Sequence, residues 1–228
     1  MKPYTGRGDN GTTRINIHSS IISKNDPCVE LIGNIDELNA SVGECIHNYE
    51  DIPQIVTILT DVQSLLMKMM AIIPCRYTDN EDNVDFDPKE ELRIIEGTID
   101  IISDQLKPIA NFVYPQHEGC YANTARTIAR RCERSLVHPK FEDKFASLIP
   151  IFNRLSSLFF VIMRYVNAYN GRDEELFNVN SSSSSDSEPE EEQEDEEPAN
   201  YVSLYHILKY TIIPIALSLT LRLLTNRD

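Results

Sequence analysis

Positive charge is scarce in this chain of 228 residues: 21 Lys and Arg face 36 Asp and Glu, a formal net charge of −15. No basic face is large enough to drive the counterion release that nucleic-acid binding depends on, so no nucleic-acid partner is expected. The deficit is uneven. Of those residues, 13 acids and 4 bases lie beyond residue 170, which leaves 23 acids against 17 bases in residues 1–170, a net of −6. Most of the excess belongs to a tail. Cysteines are few and odd in number (28, 45, 75, 120 and 132), and none forms a CxxC pair. This argues against a disulfide framework and a zinc site, and for reduced thiols in a cytosol-like compartment. No signal or transit peptide is expected, because a Gly/Thr motif begins at residue 5. Strand patterns are almost absent.

In their place the chain carries helical periodicity. Val29, Leu31, Ile32, Ile35, Leu38, Val42 and Cys45 recur at three- and four-residue steps from Asp26 to about Ile46. A cleaner stripe runs from Ile55 to Met69, with Ile58, Leu59, Val62, Leu65 and Leu66 between. The polar stretch 76–88 reads as a surface loop ending in Pro88. Further helices are expected over Pro88–Leu106, Cys120–Val137 and Lys144–Tyr169, with a connector, Asn111-Phe-Val-Tyr114, between Pro108 and Pro115. The fold class is therefore all-α, a bundle of four to five helices over residues 1–170.

Residues 171–200, with Ser181–Ser185 and the acidic run Glu191–Glu197, lack the apolar area to fold and read as a disordered linker. Residues 201–228 turn apolar again, yet the uncharged run between Lys209 and Arg222 spans only residues 210–221. A membrane span needs about 20 apolar residues. Two readings stay open for 204–224: a C-terminal membrane anchor that leaves the bundle on the cytoplasmic face, or an amphipathic helix that packs on protein.

Three short stretches can together form a nucleotide site. Thr5-Gly-Arg-Gly-Asp-Asn-Gly-Thr-Thr13 offers glycines, hydroxyls and backbone donors for wrapping phosphates. Ser23-Lys-Asn-Asp-Pro27 and Asp36-Glu-Leu-Asn39 add Lys24 and a carboxylate. Arg126, Arg130 and Glu133, spaced four and three apart, share one helical face. Taken alone that face would be an ordinary solvated one, and Phe112 an ordinary core residue. Glycines, threonine hydroxyls and convergent arginines in one chain suit a triphosphate better.

In these residues the chain closely resembles the PduO-type ATP:cob(I)alamin adenosyltransferases. Their opening Tyr-Thr-x-x-Gly-Asp-x-Gly-Thr-Thr stands here as Tyr4-Thr5 through Gly8-Asp9 and Gly11-Thr12-Thr13. Their later blocks match Ser23–Pro27, Gly33–Asn39, Ala125–Arg134 and Asn153-Arg154-Leu155-Ser156, continuing to Phe160 and Arg164-Tyr165. The resemblance implies a five-helix bundle forming a homotrimer with each active site between two subunits. It implies that ATP, with Mg²⁺, lies against Thr5, Gly8, Asp9, Gly11, Thr12, Thr13 and Lys24, and meets Arg130, Glu133 and Asn153. Asp36 would pair with Arg126 across the subunit boundary, and Phe112 and Phe160 would serve cobalamin. Cob(I)alamin would then attack the 5′ carbon of ATP and expel triphosphate, so no protein metal site and no general base are needed. The chain departs from the pattern in the connector. Pro115-Gln116-His117 replaces Pro-Gly-Gly, Asn123 replaces a histidine, and Ser157 replaces an aspartate. The alternative reading is a non-catalytic relative, with or without ATP binding, acting as a membrane- or partner-bound interaction protein.

Overall fold

Proline and aspartate set where the helices begin. In the computed structural model, which describes residues 4–16, 20–109, 111–141 and 143–177, α1 (Pro27–Asn48) and α3 (Pro88–Ser103) each start with proline in the first turn. Proline there loses no hydrogen bond and presets φ. Asp26 and Asp87 cap these two helices, accepting from the backbone N–H of Cys28 and Lys89. Helix α2 (Pro53–Tyr77) also opens on proline, and α5 (Ile149–Tyr169) carries Pro150 in its first turn. Helix α4 (Cys120–Leu136) has no side-chain cap of its own. A buried tyrosine from the end of α1 serves instead: the Tyr49 hydroxyl accepts from Ala122 N at 3.0 Å and donates to Glu118 O at 3.0 Å.

The helices pack in the order α2, α1, α4, α5, α3, each against its neighbours. Small residues on the inner face of α4 (Ala122, Ala125, Ala129 and Cys132) let it sit close between α1 and α5. Helix α5 is buried almost throughout from Leu155 to Asn167. Its two fully buried phenylalanines, 152 and 159, contribute roughly 2–3 kcal/mol each by apolar burial. Both α2 and the stretch Ala146–Tyr169 are apolar and long enough to cross a membrane, but their apolar faces form this core. The five-helix, all-α expectation is met.

Element ends differ from the sequence reading. Helix α2 runs on through Pro74 to Tyr77, because Ile72, Ile73 and Pro74 itself are buried. The carbonyl of Pro74 then anchors the amino-terminal segment through Asn16 Nδ2 at 3.3 Å. Helix α3 stops at Ser103 rather than Leu106. Helix α5 starts at Ile149 rather than Lys144, after a 3-10 turn at Ala146–Leu148. Phe141 and Phe145 stack edge-on before that turn and fill the bundle's end. In α1 the buried side chains include Cys28, Asn34 and Ser41, whereas Val29 and Ile32 are only half-buried. All five cysteines are free thiols. Burial raises those of Cys28, Cys45 and Cys132 to about 12, which makes them inert packing. Residues 172–177, placed by composition in the linker, instead run back along the connector. The apolar stretch 204–224 and the rest of 178–228 lie outside the described residues.

Candidate nucleotide and corrinoid site

The amino-terminal loop is built by glycines whose backbone other residues reach only with strain. Gly6 and Gly11 have φ of 71° and 77°, the left-handed region open to glycine without a Cβ clash. Turn bonds from Asp9 N to Gly6 O and from Gly11 N to Gly8 O fold the loop. A two-residue strand, β1 (Thr12–Thr13), pairs antiparallel with β2 (Ile22–Ser23), placing Thr12 opposite Ser23. Lys24 N donates to Gly11 O at 2.9 Å. The Lys24 ammonium lies 3.2 Å from where a Cβ on Gly8 would stand. Gly8 therefore leaves the lane along which Lys24 crosses the loop. Thr5 and Asp9 are exposed on the same turn, and Thr12 and Thr13 are half-buried.

Asp26, read as part of a motif, turns out to be a tether as well as a cap. Its carboxylate also accepts from the Tyr77 hydroxyl at 3.2 Å and pairs with Lys140. Burial opposes its ionisation, but Lys140, the Cys28 amide and Tyr77 outweigh that and hold its pKa below the usual carboxylate value. This cluster fixes the start of α1, and with it Lys24, to the end of α2.

The second half of the site is the outer face of α4 beside α5. Arg126 is half-buried and its Nε donates to Asn123 Oδ1 at 2.9 Å. Desolvation and the neighbouring Arg130 charge both lower its pKa, so the site favours an added anion. Arg130 is exposed, and its side chain makes no hydrogen bond or ion pair among the described residues. Glu133 and Asn153 are brought together, Asn153 Nδ2 donating to Glu133 Oε1 at 2.9 Å. Asn153 Oδ1 accepts from Arg154 Nη1 at 2.8 Å, and Arg154 Nε reaches Glu96 on α3 at 2.8 Å. This chain of bonds across three helices orients Glu133 and Asn153. Ser157, where the aspartate of the resemblance is missing, only approaches Asn153 O at 3.5 Å. Arg131 points the other way, to Glu37 on α1.

The two halves are not bonded to each other within the chain. Among the described residues no hydrogen bond or ion pair joins Thr5–Thr13 or Lys24 to Arg126, Arg130, Glu133 or Asn153. Asp36 is exposed on α1 and makes no ion pair with Arg126. Nor is there, among the described residues, a group of three or more His, Cys, Asp or Glu that could hold a metal ion.

Phe112 is 82% exposed, so it is not the core residue that its type alone would suggest. Phe160 is half-buried on α5. His117 carries φ of 55°, a left-handed conformation at a position where the resembling pattern has glycine. Replacing His117 by valine should lower stability by about 1–2 kcal/mol, whereas glycine should shift it by less than ~1 kcal/mol. Urea unfolding midpoints of the two variants check this, and equal midpoints would show that the strained turn is not kept.

A family model described as cobalamin adenosyltransferase matches residues 3–166. The chain belongs to the cobalamin adenosyltransferase family. It is 30% identical over 167 residues to the corrinoid adenosyltransferase PduO of Citrobacter freundii, covering 72% of this chain and 49% of that protein. It is 30% identical over 182 residues to the corrinoid adenosyltransferase of Bacillus subtilis, covering 75% of this chain and 89% of that one. The chain thus spans about half the length of the Citrobacter relative. A solved variant of a PduO-type ATP:corrinoid adenosyltransferase from Lactobacillus reuteri, complexed with cobalamin and ATP, superposes with a TM-score of 0.69 at 28% identity. That superposition covers 78% of this chain and 97% of that one.

Sequence reasoning missed three residues that brace segments of the candidate site: Tyr77 and Lys140 around Asp26, and Glu174 opposite Arg164. Only the last left a readable signal, Arg164 at the end of the apolar run 158–163 of α5.

Proposed function

We propose that this chain transfers the 5′-deoxyadenosyl group of ATP to cob(I)alamin, giving adenosylcobalamin and triphosphate. The active site lies between two protomers of a homotrimer. The observation that supports this best is the division of the nucleotide half. A phosphate-wrapping loop with Lys24 and a face of guanidinium groups stand on one chain with no hydrogen bond or ion pair joining them among the described residues. A neighbouring protomer that offers its α4 face to the loop completes both, and brings Asp36 to Arg126.

The residues then divide the work. Backbone donors of the 5–13 loop, Lys24 and Arg130 hold the triphosphate and stabilise the negative charge that grows on it as the C5′–O bond breaks. Mg²⁺ arrives with the phosphates as part of the substrate. Glu133 and Asn153, locked through Arg154 and Glu96, fix the nucleoside so that the 5′ carbon faces the corrinoid. Phe112 and Phe160 supply apolar area on the corrinoid side and exclude water. Attachment to a membrane through 204–224, with the bundle on the cytoplasmic face, belongs to the same proposal.

The test is the reaction itself. Full-length protein with MgATP and chemically reduced cobalamin should give the absorption spectrum of the cobalt–carbon product, with triphosphate released in equal amount. ATP binding without that product would instead support a non-catalytic, nucleotide-sensing relative.

A further inference from the structure

The eight residues that follow α5, 170–177, do not leave the bundle. They return over the connector that carries Phe112, and they lie beyond the residues matched by the family model. Val113 and Leu176 form an antiparallel bridge. Tyr114 N donates to Glu175 O at 2.9 Å, and Phe177 N to Phe112 O at 2.7 Å. The Tyr114 and Phe177 rings meet edge-on at 5.9 Å. Side chains repeat the attachment: Gln116 Nε2 donates to Glu175 Oε2 at 2.7 Å, and Arg172 pairs with Glu118 at 3.1 Å.

Helix α5 supplies the floor under both ends of the connector. Arg164, only 7% exposed, donates to Lys107 O at 2.6 Å and grips both carboxylate oxygens of Glu174, at 2.5 and 2.9 Å. One helical turn on, Asn167 donates to Gln116 O at 3.2 Å and accepts from Gly119 N at 2.8 Å. Lys107 and Gln116 lie on either side of Phe112 in sequence. One α5 face therefore pins the connector before and after the exposed ring, while the 172–177 strap pins it across the middle. A buried guanidinium needs its anion, and Glu174 is the carboxylate that Arg164 grips from inside this segment.

From this arrangement we infer that the Arg164–Glu174 pair is a latch. It closes the 172–177 strap over the connector and so positions Phe112 for the corrinoid, without acting on ATP. Glu174 is a positioning residue. It touches neither substrate, and its influence passes through the backbone bonds at Phe112 and Tyr114. The Gln116 side chain, which takes the place of a glycine in the related pattern, is absorbed by the same device, because it is turned outward onto Glu175. The latch rests on the corrinoid reading for its kinetic consequence, but its structural part stands alone.

The experiment uses the full chain with Glu174→Ala and Glu174→Gln. Amide exchange at Tyr114 and Phe177 should accelerate in Glu174→Ala while the α4 amides stay protected. ATP affinity should hold within about twofold, and the KM for cob(I)alamin should rise on the order of tenfold or more, since small misplacements of a substrate-positioning group are costly. Glu174→Gln, which keeps one acceptor for Arg164, should fall between. Equal shifts in the ATP and corrinoid constants would mean a general structural role and overturn the latch, as would unchanged exchange at Tyr114. If the wild-type protein makes no adenosylcobalamin, the functional reading fails, and exchange at Tyr114 still decides whether Glu174 holds the connector.

Discussion

Changing Arg130 to alanine should remove tight ATP binding and leave the bundle as stable as before. The two effects separate because of where the side chain stands. Arg130 is exposed on α4 and has no partner among the described residues, so its loss from the folded protomer should cost less than about 0.5 kcal/mol. A guanidinium bonded to a phosphate, by contrast, contributes about 3 kcal/mol, on the order of a hundredfold in Kd. Lysine keeps the charge but not the two-pronged geometry and should recover only part of the affinity. Titration calorimetry with MgATP, alongside thermal unfolding, reads both quantities. Unchanged affinity would remove Arg130 from the site. A fall in melting temperature would show that it has a structural partner instead.

The second large effect is expected at Gly119, just before α4. A Cβ built there would stand 2.5 Å from Met163 O, 2.8 Å from Asn167 Oδ1 and 2.9 Å from Met163 Cγ. Two of those atoms belong to the backbone or to a buried amide that already accepts the Gly119 N–H, so neither can swing away. Alanine must push the turn off α5, which adds overpacking to an unsatisfied Asn167 carbonyl. Together these cost about 3 kcal/mol or more, a fall of roughly 6–12 °C in Tm for a chain of this size. Gly97 provides the control. It lies within α3 and a Cβ there meets nothing within 4 Å, so alanine should stabilise by about 0.5–1 kcal/mol. Circular dichroism melts of both variants give the signs. A neutral or stabilising alanine at Gly119 would mean that the α4–α5 contact is looser than the structure shows.

Legibility in the sequence follows the physics of each element. Helices α2 and α5 are plain because one continuous apolar stripe fills the core, as Ile58, Leu65, Phe152 and Phe159 do. Their ends are less plain. Pro74 breaks the local rule for a helix interior, yet the burial of Ile72 and Ile73 carries α2 past it. The proposed nucleotide half can be read because triphosphate binding would require fixed residue types at fixed spacing, from Gly8 and Lys24 to Arg126 and Arg130. The tether around Asp26 cannot, since Tyr77 and Lys140 come from segments whose approach depends on the whole fold. The strap hides for a different reason. Arg172-Asp-Glu-Glu175 has the composition of the acidic tail that follows it, whereas its role lies in backbone pairing, which composition does not report. The Leu176-Phe177 pair and Arg164, at the end of the apolar run 158–163, are the clues it leaves.

In the proposed trimer one chain supplies the loop and another the guanidinium face. Mixing two inactive variants tests this most directly. Full-length Lys24→Ala and Arg130→Ala proteins, each nearly inactive alone, are unfolded together and refolded as mixed oligomers, and adenosylcobalamin formation is then assayed. If sites form between protomers, roughly one quarter of them by random pairing will have both intact halves, and activity should return to about that fraction of wild type. If each chain builds its own complete site, the mixture will be no more active than the two variants refolded apart, and the shared site is contradicted.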